Sequence, residues 1–203
     1  MSVKNFDKHS LEKLAEDFLK QKAQGKFDHR SLLIEWLLES CGYTIFPVPG
    51  LAEIAEAYVP AKRGYIFVDE EQYLNGNSSF RWRFTLAEEF AHILLHRPLF
   101  EGKTTKEIVK IQDGFSDADY RTIEKNAKYL AGCILMPQGV FKERFAHFAA
   151  IQSQQTTNSL SILKYVVRQL SMDFNVSCYS VSIRALHLGL IDQEQLDDLL
   201  ERF

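Results

Sequence analysis

Apolar residues recur at helical spacing near the start of the chain. From Leu11 to Leu19 they follow an i, i+3, i+4, i+7 and i+8 pattern, which predicts an amphipathic helix that Ser10 could cap. A second helix is predicted from Ser31 to Cys41, because it is followed by Gly42, a residue type that commonly ends helices. The chain therefore begins with a helical segment.

The middle of the chain mixes extended and helical patterns. YTIFPVPG predicts an edge strand, since Pro47 and Pro49 cannot donate hydrogen bonds to a sheet. LAEIAEAYV predicts a short helix, and GYIFVD predicts a strand by its aromatic and β-branched content. NGNSS, from Asn75 to Ser79, predicts a loop. A small sheet is thus expected between helices.

Two longer helices are predicted after this loop. The first carries AEEFAHILLH and is ended by Pro98. The second runs from about Asp117 to Met136 and is ended by Pro137, with a polar segment between the two helices.

The last part of the chain has the spacing of a helix-turn-helix. Apolar residues on two helices flank a turn near Asn175 with Ser177 as the next N-cap, and these are Leu170, Phe174, Val181, Ala185 and Leu188. A three-helix packing unit fits the same pattern. Residues 150–203 hold four Lys or Arg against six Asp or Glu, and DNA affinity depends on cations that neutralise phosphates. We therefore expect no DNA binding.

Composition narrows the function classes. The chain has 203 residues, 46% of them hydrophobic, a net charge of −3 and a pI of about 6.1, so charge alone predicts no attraction to nucleic acid or anionic membranes. Cys41, Cys133 and Cys178 are odd in number and lack a C-x-x-C pairing, which is typical of reduced thiols. No signal core and no apolar run of about 18 residues is present, so we expect a soluble cytoplasmic protein and no membrane association.

AEEFAHILLH differs by one residue from the zinc-hydrolase motif H-E-x-x-H. On a helix, Glu88 and His92 lie one turn apart on one face and could hold an ion between them. Glu89, three residues before His92, could take a proton from a water molecule at that ion. A tetrahedral catalytic site needs a third protein ligand.

Glu124 is a candidate for the third ligand. It lies among apolar positions of DYRTIEKNAKYLAGCILMP, where a carboxylate facing a core would be costly unless paired or bound to a cation. A cation held by Glu88 and His92 would satisfy it.

The chain resembles the ImmA/IrrE family of metallo-endopeptidases. RWRFTLAEEFAHILLH is similar to the family pattern R-F-T-L-A-H-E-x-G-H-x-x-L-H, and EKNAKYLAGCILMP to its third-ligand helix. GYIFVDEEQY and VSCYSVSIRALHLGLI also match in position, so the resemblance covers about residues 43 to 191. It implies a zinc-dependent intracellular protease with a thermolysin-like helix that cleaves a transcriptional repressor in a stress, mobile-element or anti-phage response.

Carried over by position, the resemblance makes His92 and Glu124 metal ligands and Glu89 the general base. Glu88 stands where the family has the first histidine ligand, Ala91 where it has glycine, and Lys128 where it has Asn or Asp. The expected fold is α+β, mainly helical with a small sheet and a C-terminal helix-turn-helix-like unit. The expected segments are an N-terminal helical extension (1–42), a metallopeptidase-like domain (43–149) and the helix-turn-helix-like region (150–203).

Glu88 changes the charge of the predicted centre. One histidine and two carboxylates neutralise Zn²⁺ formally, whereas two histidines and one carboxylate leave +1. We expect weaker activation of water, a higher pH optimum and a shift of preference toward harder ions such as Mn²⁺.

Other interpretations stay open at this point. Glu88 and Glu89 could be a solvated helix start, His92 an ordinary hydrogen-bonded histidine, and Glu124 a partner of Arg121 or Lys128. His96 could be a ligand or a structural residue, and Cys133 a core residue or a thiolate ligand. The whole protein could accordingly be a catalytically inactive family member that binds a regulatory protein.

Overall fold

The computed structural model describes residues 3–23, 33–53, 57–59, 64–75 and 80–201. These residues form two compact units, one built from the described residues up to 134 and the other from residues 135–201. The predicted fold class, mainly helical with a small sheet, is confirmed. The three-segment division at residues 42 and 149 stays a prediction.

The first unit combines six helices with a three-stranded sheet in its described part. Its helices are α1 (Lys8–Ala23), α2 (Ile34–Ser40), α3 (Glu70–Asn75), α4 (Phe80–His96), α5 (Thr105–Asp113) and α6 (Asp117–Leu135). Its strands are β1 (Thr44–Val48), β2 (Ala57–Tyr58) and β3 (Tyr65–Asp69), and short 3-10 turns occupy Leu51–Glu53 and Arg97–Leu99.

The predicted first helix is present, but its cap is not Ser10. Asp7 precedes α1, and its carboxylate accepts hydrogen bonds from the Ser10 backbone N–H at 2.9 Å and the Ser10 hydroxyl at 2.6 Å. Asp7 therefore caps the helix and Ser10 supplies the donors. The second helix begins at Ile34, and the predicted start at Ser31 lies outside the described residues.

The sheet has the order β1-β3-β2. β1 pairs in parallel with β3 in the register Thr44 to Tyr65, which confirms the predicted edge strand. β2 pairs antiparallel with β3, so the helix predicted over LAEIAEAYV is wrong at Ala57–Tyr58. Pairing with β3 is a non-local interaction that overrides the local helical pattern.

Two short helices of the first unit are absent from the sequence prediction. α3 begins directly after β3, where the Asp69 carboxylate accepts the Gln72 backbone N–H at 3.0 Å. α5 lies in the segment predicted to be merely polar, and a capping box formed by Thr104 and Glu107 begins it. The predicted NGNSS loop overlaps α3 at Asn75, and 76–79 lie outside the described residues.

The second unit contains four helices: α7 (Gln138–Ser153), α8 (Ser159–Phe174), α9 (Cys178–His187) and α10 (Gln193–Leu200). The predicted turn is present, since Asn175 adopts the left-handed conformation after α8 and the Ser177 hydroxyl caps α9. Phe141 of α7 stacks on Phe174 of α8 with 5.7 Å between ring centroids. These helices share an apolar core of their own.

Candidate metal centre

The candidate site begins on α4, which is fixed by its buried face. Four of its residues are almost completely buried: Leu86, Ala87, Phe90 and Ala91. The Phe90 ring packs against the Phe18 ring of α1, with 5.3 Å between the ring centroids. Ala91, where the resembling family has glycine, is thus accommodated in the core. Because α4 begins at Phe80, Glu88 and Glu89 lie in mid-helix, and the interpretation of them as a solvated helix start is wrong.

Glu124 reaches the site from α6. Ala127, Leu130 and Ala131 anchor the buried face of this helix, but the Glu124 side chain retains 49% of its accessible surface. The prediction that Glu124 faces a core is therefore wrong. Successive residues of a helix are about 100° apart around its axis, which puts Glu124 at the edge of the buried face of α6. There it lines the rim of a cavity.

Glu88, His92 and Glu124 meet at one point. Each offers a ligand atom, and these atoms all lie within 4.8 Å of one another. His92 Nε2 and Glu124 Oε1 are 3.5 Å apart, close to the roughly 3.4 Å that separates two ligands in a tetrahedron with bonds of about 2.1 Å. One nitrogen and two oxygens at this spacing fit a divalent cation with one position left open.

Lys128 also reaches this point. Its ammonium lies 3.8 Å from Glu88 Oε1 and 3.9 Å from Glu124 Oε2. The predicted pairing of Glu124 with Lys128 is therefore present beside its approach to His92. Burial raises the pKa of Glu88, the Lys128 charge lowers it and the Glu124 charge raises it again. The three charged groups form one electrostatic cluster.

Glu89 lies in a cavity of about 340 Å³. His92, Glu124, Phe115 and Tyr120 line the same cavity. Burial raises the Glu89 pKa to about 7, with further contributions from the negative charges of Glu88 and Glu124. A carboxyl group with this pKa can both accept and release a proton near neutral pH.

His96 contacts His92 from one turn further along α4. Their Nδ1 atoms are 3.2 Å apart, and His96 is 5% exposed. Burial lowers the pKa of both rings, that of His96 to about 4, so both are neutral at pH 7. Because His96 faces the ring nitrogen of His92 that points away from Glu124, its position is that of a ligand-orienting residue.

Cys133 is buried and does not belong to the group that could hold a cation among the described residues. The interpretation of Cys133 as a core residue fits this position.

The sequence profile of the IrrE N-terminal-like domain (Peptidase_M78) matches residues 58–186, which include all four predicted site residues, every element from β3 to α8 and all of α9 except its last residue. The chain belongs to this family. Membership makes metallopeptidase chemistry the expected activity class and gives the Glu-His-Glu group a context in which a metal ion is normal.

A transcriptional regulator from Mycobacterium tuberculosis is similar in structure, with a TM-score of 0.53 and 18% sequence identity. The similarity covers 88% of this chain and 46% of the regulator, so the chain spans less than half of that protein's length. At this identity the likeness shows the fold alone. No curated protein matches the sequence. Among the described helices, none combines the length and apolarity of a transmembrane span.

Sequence reasoning missed one contact of the site and left the role of a second open. The contact between Lys128 and Glu88 joins two helices 40 positions apart in the chain, and no local pattern signals it. The contact between His92 and His96 was signalled by their i, i+4 spacing, although the sequence left the role of His96 open.

Proposed function

We propose that the protein is a divalent-metal-dependent endopeptidase that cleaves a partner regulatory protein, a transcriptional repressor. The observation that carries this proposal is the convergence of Glu88, His92 and Glu124 on one point, with Glu89 in the adjoining cavity. Family membership supports the reaction class. Cleavage of a repressor implies a cytoplasmic site of action in a stress, mobile-element or anti-phage response.

In this proposal Glu88, His92 and Glu124 hold the ion, which is Zn²⁺ or a harder ion such as Mn²⁺. The ion supplies Lewis acidity for attack on a peptide carbonyl. The oxygen-rich donor set, with glutamate in place of the first histidine of H-E-x-x-H, reduces the positive charge at the centre.

Glu89 acts as the general base and then as the general acid. Its carboxylate takes a proton from the attacking water and passes it to the nitrogen of the leaving amine. Its position beside His92 and Glu124 in one cavity supports this role. The burial that raises its pKa favours the protonated form needed for the second transfer, while a nearby cation would favour the ionised form needed for the first.

The cavity also suits a polypeptide substrate. Ala57 and Val59 line it, and within the described part of the sheet β2 pairs only with β3. An extended peptide could therefore add its backbone to the open edge of β2, while Phe115 and Tyr120 contact its side chains. This arrangement favours an endopeptidase over an enzyme for small substrates.

The test is co-expression of the protein with the products of its neighbouring genes. We expect wild type to convert one regulatory protein into two fragments, and Glu89→Gln to leave it intact, a loss of at least about a hundredfold in cleavage rate. Glu143→Gln, at an exposed position on α7, is the matched control and should cleave like wild type. Equal cleavage by wild type and Glu89→Gln would refute the catalytic role.

A binding role without catalysis is the second candidate. The specific observation that favours it is Lys128, whose ammonium already pairs with both carboxylates. A partner that co-purifies intact with both wild type and Glu89→Gln, with or without added Zn²⁺, would support this alternative.

A further inference from the structure

A lysine side chain lies where a cation would be needed. Lys128 follows Glu124 by one turn on α6, and its ammonium also lies 3.8 Å from Glu88 on α4. Glu88 and Glu124 are two of the three proposed metal ligands, so one protein cation contacts both anionic ligands at once. Among the described residues, no Lys or Arg other than Lys128 forms an ion pair with Glu88 or Glu124.

This contact differs from an ordinary surface pair. An exposed i, i+4 pair such as Lys128 with Glu124 contributes little by itself. Glu88, however, retains only 19% of its side-chain surface and faces a second carboxylate. Two carboxylates that share a partly buried site repel each other unless one is protonated or a cation lies between them. Lys128 supplies that cation when no metal is bound.

The same position conflicts with metal binding. A divalent ion held by Glu88 and Glu124 would lie a few ångströms from the ammonium, and like charges at that distance repel each other. The Lys128 side chain is 59% exposed and flexible, so it can turn into solvent when an ion arrives. The two cations therefore exchange at one pair of carboxylates.

We propose that Lys128 is the built-in counter-ion of the metal-free site and competes with the divalent cation for Glu88 and Glu124. This inference rests on the proposed metal site and adds its regulation. If the ammonium occupies the carboxylates in most molecules, only the remaining molecules can bind the metal. The apparent affinity for metal is then the intrinsic affinity multiplied by the fraction of molecules whose carboxylates are free of Lys128. Half-filling of the site then needs a proportionally higher concentration of free divalent ion.

The test is isothermal titration of the full chain, freed of metal by chelation, with Zn²⁺ and with Mn²⁺. Lys128→Met removes the charge at similar length, and we expect it to bind metal about tenfold more tightly than wild type. Lys128→Arg keeps the charge and should stay within about twofold of wild type. Lys125→Met, at an exposed position on the same helix, is the matched control and should also stay within about twofold.

A second measurement uses the metal-free protein. Lys128→Met should lower its melting temperature and should do so less in a Glu88→Gln background, where one of the facing carboxylates is gone. The proposal would be overturned if Lys128→Met and Lys125→Met bound metal with equal affinity. The absence of metal binding by both variants would overturn it as well. An equal effect of Lys128→Met in both backgrounds would overturn it too. If Lys128→Met bound metal more tightly but the partner protein stayed uncleaved, only the proposed peptidase activity would be refuted.

Discussion

The ring nitrogens of His92 and His96 constrain each other. Their Nδ1 atoms are 3.2 Å apart, so one ring must donate a proton and the other accept it. If His92 donated, His96 would carry its remaining proton on Nε2, a buried atom without a hydrogen-bond partner among the described residues. In the reverse arrangement the same atom is an unpaired acceptor, so its burial does not decide between the two. The Glu124 carboxylate decides, because in the first arrangement it would face the lone pair of His92 Nε2. The reverse arrangement leaves His92 with a proton on Nε2, facing the Glu124 carboxylate at 3.5 Å.

We therefore predict that His92 is protonated on Nε2 and His96 on Nδ1 in the metal-free protein at pH 7. A metal ion on His92 Nε2 would force the opposite tautomers, so Zn²⁺ should switch both rings together. Long-range ¹H–¹⁵N correlation spectra of the two histidines measure this directly. Protonation of His92 on Nδ1 before metal is added would contradict the argument.

The residues of the site were predictable to different degrees. Glu88, Glu89 and His92 share one helix, so their spacing alone fixes their relative positions. The apolar neighbours of Glu124 make it a candidate for the third ligand and the family resemblance supports it, yet its side chain is half-exposed. Lys128 reaches Glu88 across two helices, a relation that depends on tertiary packing and is invisible to local periodicity.

At the scale of elements, the turn between α8 and α9 is closed by a single left-handed residue. Asn175 has φ 51° and ψ 54°, and the Val176 N–H bonds the Ser171 carbonyl at 3.1 Å while the Asn175 N–H bonds the Met172 carbonyl at 3.3 Å. This is a Schellman motif, which satisfies carbonyls that the end of α8 leaves open. Asparagine tolerates the left-handed region better than other residues with a Cβ, apart from aspartate.

We predict that Asn175→Val destabilises the protein by about 1 to 2 kcal/mol, because a β-branched residue at positive φ is strained. Asn175→Gly removes the same side chain without that strain and should cost less. Urea unfolding followed by circular dichroism gives both values. Equal midpoints for the valine and glycine variants would show that the left-handed conformation is not what matters there.

The elements also show where local patterns fail. The long helices α1, α4 and α6 and the end of α8 are predicted by their apolar spacing, whereas α7, which is as long as α1, is not predicted. β2 has two residues and forms through its pairing with β3, whereas the local pattern of LAEIAEAYV predicts a helix. α5 carried a usable signal in its Thr104 and Glu107 capping box, which the polar composition of the segment obscured.

At the scale of the whole molecule, charge and burial indicate whether the helix-turn-helix-like unit can bind DNA. Its second helix, α9, holds one arginine, Arg184, and that residue is 2% exposed. The Arg184 guanidinium donates to the Met136 carbonyl at 3.0 Å inside the same unit. The cation that a recognition helix would offer to phosphates is thus used within the fold, and the chain as a whole carries a net charge of −3.

We predict that the full chain does not bind random duplex DNA at 50 mM salt, because non-specific affinity comes from the release of counterions by Lys and Arg at phosphates. Fluorescence anisotropy of a labelled duplex measures it. Arg184→Gln, used only if circular dichroism shows that it stays folded, should leave DNA binding unchanged. Binding that weakens steeply as salt rises, by a log-log slope of about −0.9 for each phosphate contacted, would show that other cations form a DNA-binding surface. If wild type bound DNA and a folded Arg184→Gln bound it more weakly, with a smaller salt dependence, Arg184 would contact phosphate in the complex instead of the Met136 carbonyl.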